Sequence, residues 1–245
     1  MAVVLGGCAT AAPPPAAPPV SEEARAALAR IEQHRLELRD LRSRVEITIR
    51  RNGRAQRLTG VLLLLGEPAT MRFEALSPLG PPVLIVAGDP KSVTLWEVLD
   101  NRAYIAPASP DANRRWLGLA LSVEDLVALL AGRVRPMPDP TEVALLAADG
   151  IGPSLRLTGA SGEQRIWFDP DSGQARQVEW TGKNPARVTF APAPADGPPA
   201  GFSLETADGS LRVSVAYREP RMNTSFDPTL LTLTVPQDVR IQDFR

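Results

Sequence analysis

From residue 43 the hydrophobic positions alternate: Val45, Ile47 and Ile49 are separated by Glu46 and Thr48, with Arg44 ahead of them. A period of two marks a strand with one buried face. Asn52-Gly53 follows, a strong hairpin signal because both turn positions take positive φ. The return strand, 54–65, ends in a run of leucines, and Gly66-Glu67-Pro68 turns the chain. In 70–76, Met71, Phe73 and Ala75 share one face and Arg72 and Glu74 the other. After Ser77-Pro78-Leu79-Gly80-Pro81-Pro82 comes an apolar strand, 83–87. A turn at Asp89-Pro90 leads to a strand pair, 93–99 and 102–106, around Asp100-Asn101.

Upstream the period is helical. Ala24, Ala27, Leu28, Ile31 and Leu38 recur behind Ser21, an N-cap, with Glu22 and Glu23 in the first turn. This helix is expected to run to about Asp40. His34, the only histidine, lies on it among Arg and Glu and reads as a solvated residue. Midway, 114–121 predicts a short helix. Ser122-Val123-Glu124-Asp125 reads as a capping box opening a second, through Leu126, Leu129 and Leu130 to a stop at Gly132. Residues 142–148 fit strand or helix. Hairpins then resume: 155–158 with 164–168, then 174–180 and 187–191, then 202–206 with 211–217 around Asp208-Gly209. Leu231, Leu233 and Val235 alternate with Thr232 and Thr234 and predict a last strand before Pro236. The sum is a mainly β, α+β chain: about a dozen antiparallel strands, a leading helix and a mid-chain helical insert.

The N-terminus changes the picture. Leu5-Gly6-Gly7-Cys8 resembles a lipobox, in which small residues pass a signal protease and the thiol accepts a diacylglycerol. Cys8, the only cysteine, is the candidate lipidation site. A secretory signal needs a basic region and about 7–15 apolar residues. Fewer precede Cys8, so the true start is expected upstream. The Pro- and Ala-rich run to Val20 favours polyproline II, a spacer of roughly 30 Å at about 3.1 Å per residue. The expected division is 1–7, a signal remnant; 8–20, the lipidated Cys and tether; and 21–245, a single β domain.

Charge and composition remove several classes. Net charge is −1 and the pI about 6.0, so no basic field attracts nucleic acid. At 44% hydrophobic residues the body is globular, yet no apolar run approaches the ~20 residues that span a bilayer. One His and one Cys leave no metal cluster and no Ser-His-Asp triad with a spare His. There is no phosphate loop or dinucleotide fingerprint. Asp169, Asp171 and Gly173 look like a calcium loop, but Pro170 and the missing later Glu make it a turn. No enzymatic activity and no cofactor are expected.

The order of parts resembles the LolB family of outer-membrane lipoprotein receptors, and is similar to the periplasmic carrier LolA. The most specific match is Ser77-Pro78-Leu79-Gly80, which resembles that family's Asn-Pro-Leu-Gly loop; Pro81-Pro82 departs from the polar residues usual there. The resemblance implies an unclosed antiparallel β-barrel with helices over its mouth and a cavity for acyl chains. It also implies that Leu79, between Pro78 and Gly80, pushes cargo into the membrane. A LolA-like carrier would deliver the cargo. Ala9 after Cys8, being other than Asp, implies sorting to the outer membrane, facing the periplasm. A monomer is expected. Candidate cavity residues are Met71, Phe73, Ala75, Leu84, Val86, Trp96, Val98, Trp116 and Leu126, each of which would equally serve as plain core. Two other readings stay open: an anchored binder of another amphiphile such as a glycolipid, and a structural envelope lipoprotein with a filled core.

Overall fold

A computed structural model describes residues 20–117, 120–195 and 197–244, with the side chains of 116 and 117 outside the description. Cys8 and the tether to residue 19 therefore lie outside the described residues, as does the Trp116 side chain.

Helix α1 (Glu22–Leu36) starts at Ser21, whose Oγ accepts from the Ala24 amide at 3.1 Å. It ends four residues before the expected Asp40, where the first strand begins. Its buried stripe is Ala24, Ala27, Ile31 and His34, at helical spacing. His34 is thus buried rather than solvated, with Nε2 3.3 Å from the Ala195 carbonyl oxygen.

The strands are β1 (Asp40–Arg51), β2 (Arg54–Leu65), β3 (Thr70–Leu76), β4 (Pro82–Gly88), β5 (Ser92–Glu97) and β6 (Arg102–Pro107). After the helical insert come β7 (Glu142–Leu146), β8 (Ser154–Gly159), β9 (Gly162–Phe168), β10 (Ala175–Trp180), β11 (Ala186–Phe190), β12 (Gly201–Thr206), β13 (Leu211–Met222) and β14 (Arg240–Asp243). All join one 14-stranded sheet in the order β14-β6-β5-β4-β3-β2-β1-β13-β12-β11-β10-β9-β8-β7. β14 and β7 are the two edges, so the barrel is unclosed, as expected. The undecided stretch after residue 142 is a strand. Every pairing is antiparallel except β14 with β6, which is parallel.

The hairpin at Asn52-Gly53 forms with φ of 50° and 78°, the mirror-image turn that matches strand twist. It fixes the register of β1 on β2, with Arg51 opposite Arg54 and Ile47 opposite Leu58. Antiparallel order then gathers the β1–β2, β3–β4, β5–β6, β8–β9, β10–β11 and β12–β13 turns at one end of the sheet, here called the mouth end.

The chain crosses the inner face between β6 and β7 through α2 (Pro110–Leu117) and α3 (Val123–Leu130). The capping box forms: Ser122 Oγ accepts from the Asp125 amide at 3.1 Å, and the Asp125 carboxylate accepts from the Ser122 amide at 3.0 Å. Gly132, at φ 72°, stops α3.

The predicted strand at Leu231, Leu233 and Val235 does not form. Pro228–Leu231 is a 3-10 turn packed on β2 and β3, and the Arg72 guanidinium donates to the Thr232 carbonyl. The segment crosses the outer face of the sheet, burying Leu231 and Val239, before β14 reaches the β6 edge. Alternation there reflects an extended strap with one buried side, which sequence does not separate from a paired strand.

Candidate functional site

Under α3 the sheet does not close on itself. A cavity of about 940 Å³ lies between the helix and the inner face of β1–β5, β12 and β13. This is near the top of the roughly 300–1,000 Å³ usual for ligand pockets. Its floor includes Leu62, Met71, Phe73, Leu84, Val86, Val93 and Leu95, and its roof Leu121, Leu126, Leu129 and Leu130. Ile47, Ile49, Phe202, Val213 and Val215 form the wall toward β12 and β13. The rim at the mouth end is polar: Arg51, Asn52, Arg54 and Gln56.

Register explains the floor. Phe73 faces Leu62 on β2 and Val86 on β4, and Val86 faces Leu95 on β5, so these side chains share one face. Gly60 on β2 has a reason as well. A Cβ there would lie 2.0 Å from the Glu74 carbonyl oxygen and 2.9 Å from the Phe73 ring, so β2 and β3 approach closely only without one.

The roof is tied at its end. Tyr217 Oη, on β13, donates to the Leu130 carbonyl at 2.5 Å. This satisfies one of the carbonyls left over at a helix C-terminus. Burial raises the Tyr217 pKa far above the ordinary phenol value, so the hydroxyl stays protonated and remains a donor. At the other end, Val123 is fully buried and packs over Gly88 of β4.

Of the nine cavity candidates, five line the space: Met71, Phe73, Leu84, Val86 and Leu126. Ala75 points the same way but is packed into the surrounding core. Trp96 stands opposite Ile85 and Ala103, on the outer face, away from the cavity. Val98 sits in the β5–β6 turn, where its amide donates to the Val83 carbonyl at 3.1 Å. The parity of β5 therefore runs through Val93 and Leu95. Sequence reasoning missed these two, and also Ile47, Ile49 and Val213. The alternation of Val45, Ile47 and Ile49 was the available signal for β1. β5 carried the same signal, since Val93 and Leu95 alternate with Ser92 and Thr94; Trp96, the one apolar residue of the other face, obscured it.

In the Ser77-Pro78-Leu79-Gly80 loop, the Ser77 amide donates to the Pro81 carbonyl at 2.8 Å and the Gly80 amide to Ser77 at 3.0 Å. Gly80 has φ 104°, a conformation open to glycine. Pro78 and Gly80 thus hold a stiff tip on which Leu79 is 93% exposed.

A second, polar cleft of about 650 Å³ lies beside the first at the mouth end. Ser109, Asp125, Arg135, Glu163, Lys183 and Asn184 contribute to it, and it shares Leu121 and Leu204 with the apolar cavity. Among the described residues, no three His, Cys, Asp or Glu side chains gather so as to hold a metal ion. No helix of the described residues is long and apolar enough to cross a membrane.

No protein-family profile and no curated protein sequence matches the chain. Solved structures do resemble it. A putative outer membrane lipoprotein-sorting protein domain from Vibrio parahaemolyticus aligns at TM-score 0.61 and 12% identity, covering 85% of this chain and 97% of that one. A LolA superfamily protein from Nitrosomonas europaea aligns at TM-score 0.55 and 11% identity, covering 86% and 97%. A DUF1329 family protein from Desulfovibrio piger gives TM-score 0.62 and 11% identity, covering 86% and 98%. The fold of this chain is LolA/LolB-like.

Proposed function

We propose that the protein is an outer-membrane-anchored lipoprotein, acylated at Cys8, that receives acylated lipoproteins from a soluble periplasmic carrier and inserts them into the outer membrane. The observation that carries this is the apolar cavity under α3, opening at the end of the sheet that also presents Leu79. Each methylene moved from water into such a space contributes about 0.8 kcal/mol, so an acyl chain binds without specific polar contacts. Transfer needs no catalytic group and no energy source. Cargo moves down a gradient of affinity from carrier to receptor to bilayer, and the protein acts without being an enzyme. Met71, Phe73, Leu84, Val86 and Leu126 line the acyl-chain site, and Leu79 enters the membrane.

Leu79→Glu tests this reading. Acyl-chain binding is expected to persist, because Leu79 does not line the cavity, while delivery of an acylated lipoprotein into liposomes falls. Unchanged delivery would sink the insertion role. The adjoining polar cleft favours one alternative, an anchored binder of an amphiphile with a large polar head such as a glycolipid. Competition between acylated peptide and glycolipid for a fluorescent fatty acid separates the two.

A further inference from the structure

We propose that Arg42, Arg44, Arg218 and Arg221, gathered on the outer face of β1 and β13, form a binding site for a phosphate group. The site lies toward the end of the sheet away from the mouth, and it does not depend on the acyl-chain reading.

Strand periodicity alone would not bring these four together. Arg218 and Arg221 are three apart, and on a regular strand residues three apart point to opposite faces. A β-bulge puts them on one face. Between the pairs Arg42–Arg221 and Arg44–Arg218, β1 has Ser43 alone while β13 has Glu219 and Pro220. Glu219 takes φ 51° there. The buried Ser43 hydroxyl lies 2.7 Å from the Arg44 carbonyl oxygen and 3.1 Å from that of Arg218, and so ties the bulge from the inner side. Both arginines of β13 thus stand directly opposite those of β1, about 5 Å away across the strands. The four line a cleft of about 310 Å³ that also takes in Val61 of β2. Re-aiming a side chain in this way is a recurrent use of a bulge at functional sites.

Like charges directly opposite each other destabilise a sheet, and here two such pairs are adjacent. All four side chains are exposed, and among the described residues none of the four guanidinium groups makes an ion pair or a hydrogen bond. The nearby acids do not answer them. Four arginines against Glu219, which lies in the cleft itself, leave three excess positive charges. On the adjoining strands the outer-face acids are already paired: Glu46 with Arg57 at 3.5 Å, Glu74 with Arg72 at 2.6 Å, and Glu205 with Arg212. Asp40 is buried and accepts from the Thr224 and Ser225 amides, and Asp227 accepts from the Thr229 amide. In the turns at this end, Glu67 acts on Arg35, and Glu37 shares the α1–β1 turn with Arg39. A phosphate group supplies what is missing: up to two negative charges and several strong acceptor oxygens. The planar fork of arginine matches its geometry in pairs of hydrogen bonds. A single carboxylate answers one fork, whereas a phosphate meets the rows of β1 and β13 together.

The test uses the full chain carrying Cys8→Ser, so that no acyl anchor contributes. Inorganic phosphate is titrated calorimetrically at constant ionic strength, with chloride as the background anion. Saturable binding by the parent chain is expected, weakened at least about tenfold in Arg44→Gln and in Arg218→Gln. Arg212→Gln, on the same strand but paired with Glu205, should leave it unchanged. Without phosphate, Arg218→Gln should melt no lower than the parent, because an opposed pair is relieved. Flotation with vesicles of phosphatidylcholine, with or without phosphatidic acid, separates the sources. Flotation that needs phosphatidic acid and is lost in Arg218→Gln assigns the phosphate to a lipid headgroup; free-phosphate binding without flotation assigns it to a soluble phosphate. No response to either source, or equal weakening by Arg212→Gln, overturns the proposal. Lower melting of Arg44→Gln and Arg218→Gln with phosphate binding unchanged also overturns it and makes the cluster structural.

Discussion

On β8–β10 the inner-face side chains Leu155, Leu157, Ile166 and Val178 are fully buried, and α1 lies over β7 and β8. On β3–β5 the equivalent side chains Phe73, Leu84, Val86 and Leu95 border about 940 Å³ of space under α3. Both halves present an apolar inner face, and both belong to one sheet. What differs is the cover. A long helix with a stripe of Ala24, Ala27 and Ile31 settles onto one half and fills it. A short helix, held by Tyr217 at its C-terminal end and by Val123 over Gly88 at its start, bridges the other half without filling it. Apolar alternation makes an inner face; the element laid over that face decides between core and cavity.

The contrast breaks first in the filled half. Ile166→Ala removes a fully buried side chain and is expected to cost about 2–5 kcal/mol in urea unfolding, with acyl-chain affinity per folded molecule unchanged. Next come matched enlargements. Leu157→Phe overpacks the filled half and should cost about 1–3 kcal/mol, whereas Leu95→Phe grows into open space and should cost less than about 1 kcal/mol. Leu95→Phe should weaken acyl-chain binding, and Leu157→Phe should not. Equal costs for the two would mean that the halves are packed alike.

Smaller effects sharpen the account of the cover. Tyr217→Phe deletes the hydroxyl that donates to Leu130, at about 0.5–1.5 kcal/mol, and amide exchange should quicken in α3 but not in α1. The smallest effect is on pH. The Asp149 carboxyl is held below the usual carboxylate range, first by Trp167 Nε1 and then by the Ile151 amide. Asp169 is lowered first by the Ser172 amide, and Asp208 first by the Thr206 hydroxyl. A lowered native pKa contributes stability above the unfolded pKa of about 3.9 and loses it as pH falls through the native value. Asp149 is exposed, so acid unfolding should shift only slightly in Asp149→Asn.

Much of the sheet was legible. The 43–49 alternation with Asn52-Gly53 gave β1, its hairpin and its register, and the Ser122 capping box gave α3. The inner face of β3 followed from Met71, Phe73 and Ala75 against Arg72 and Glu74. Parity was lost where both faces are apolar. β4 reads Val-Leu-Ile-Val-Ala, with Ile85 of its outer face buried opposite Trp96 of β5, so it offers no frame; on β5 Val93 and Leu95 alternate with Ser92 and Thr94, but Trp96, apolar and on the outer face, was placed inside. His34 was misread for a related reason. Its charged neighbours are sequence neighbours, while its position in the Ala24, Ala27, Ile31 series puts it on the buried stripe. Whether the inner face is open depends on what crosses it, which no local pattern encodes.

The central claim is that the β3–β5 half is hollow in order to hold acyl chains. It is tested most directly by titrating the chain carrying Cys8→Ser with a fluorescent fatty acid, alongside Leu95→Trp, which would occupy the cavity. Saturable binding by the parent chain, displaced by an unlabelled fatty acid and lost in Leu95→Trp, is the expected result. No binding below the micellar threshold, or equal binding by Leu95→Trp, would contradict it.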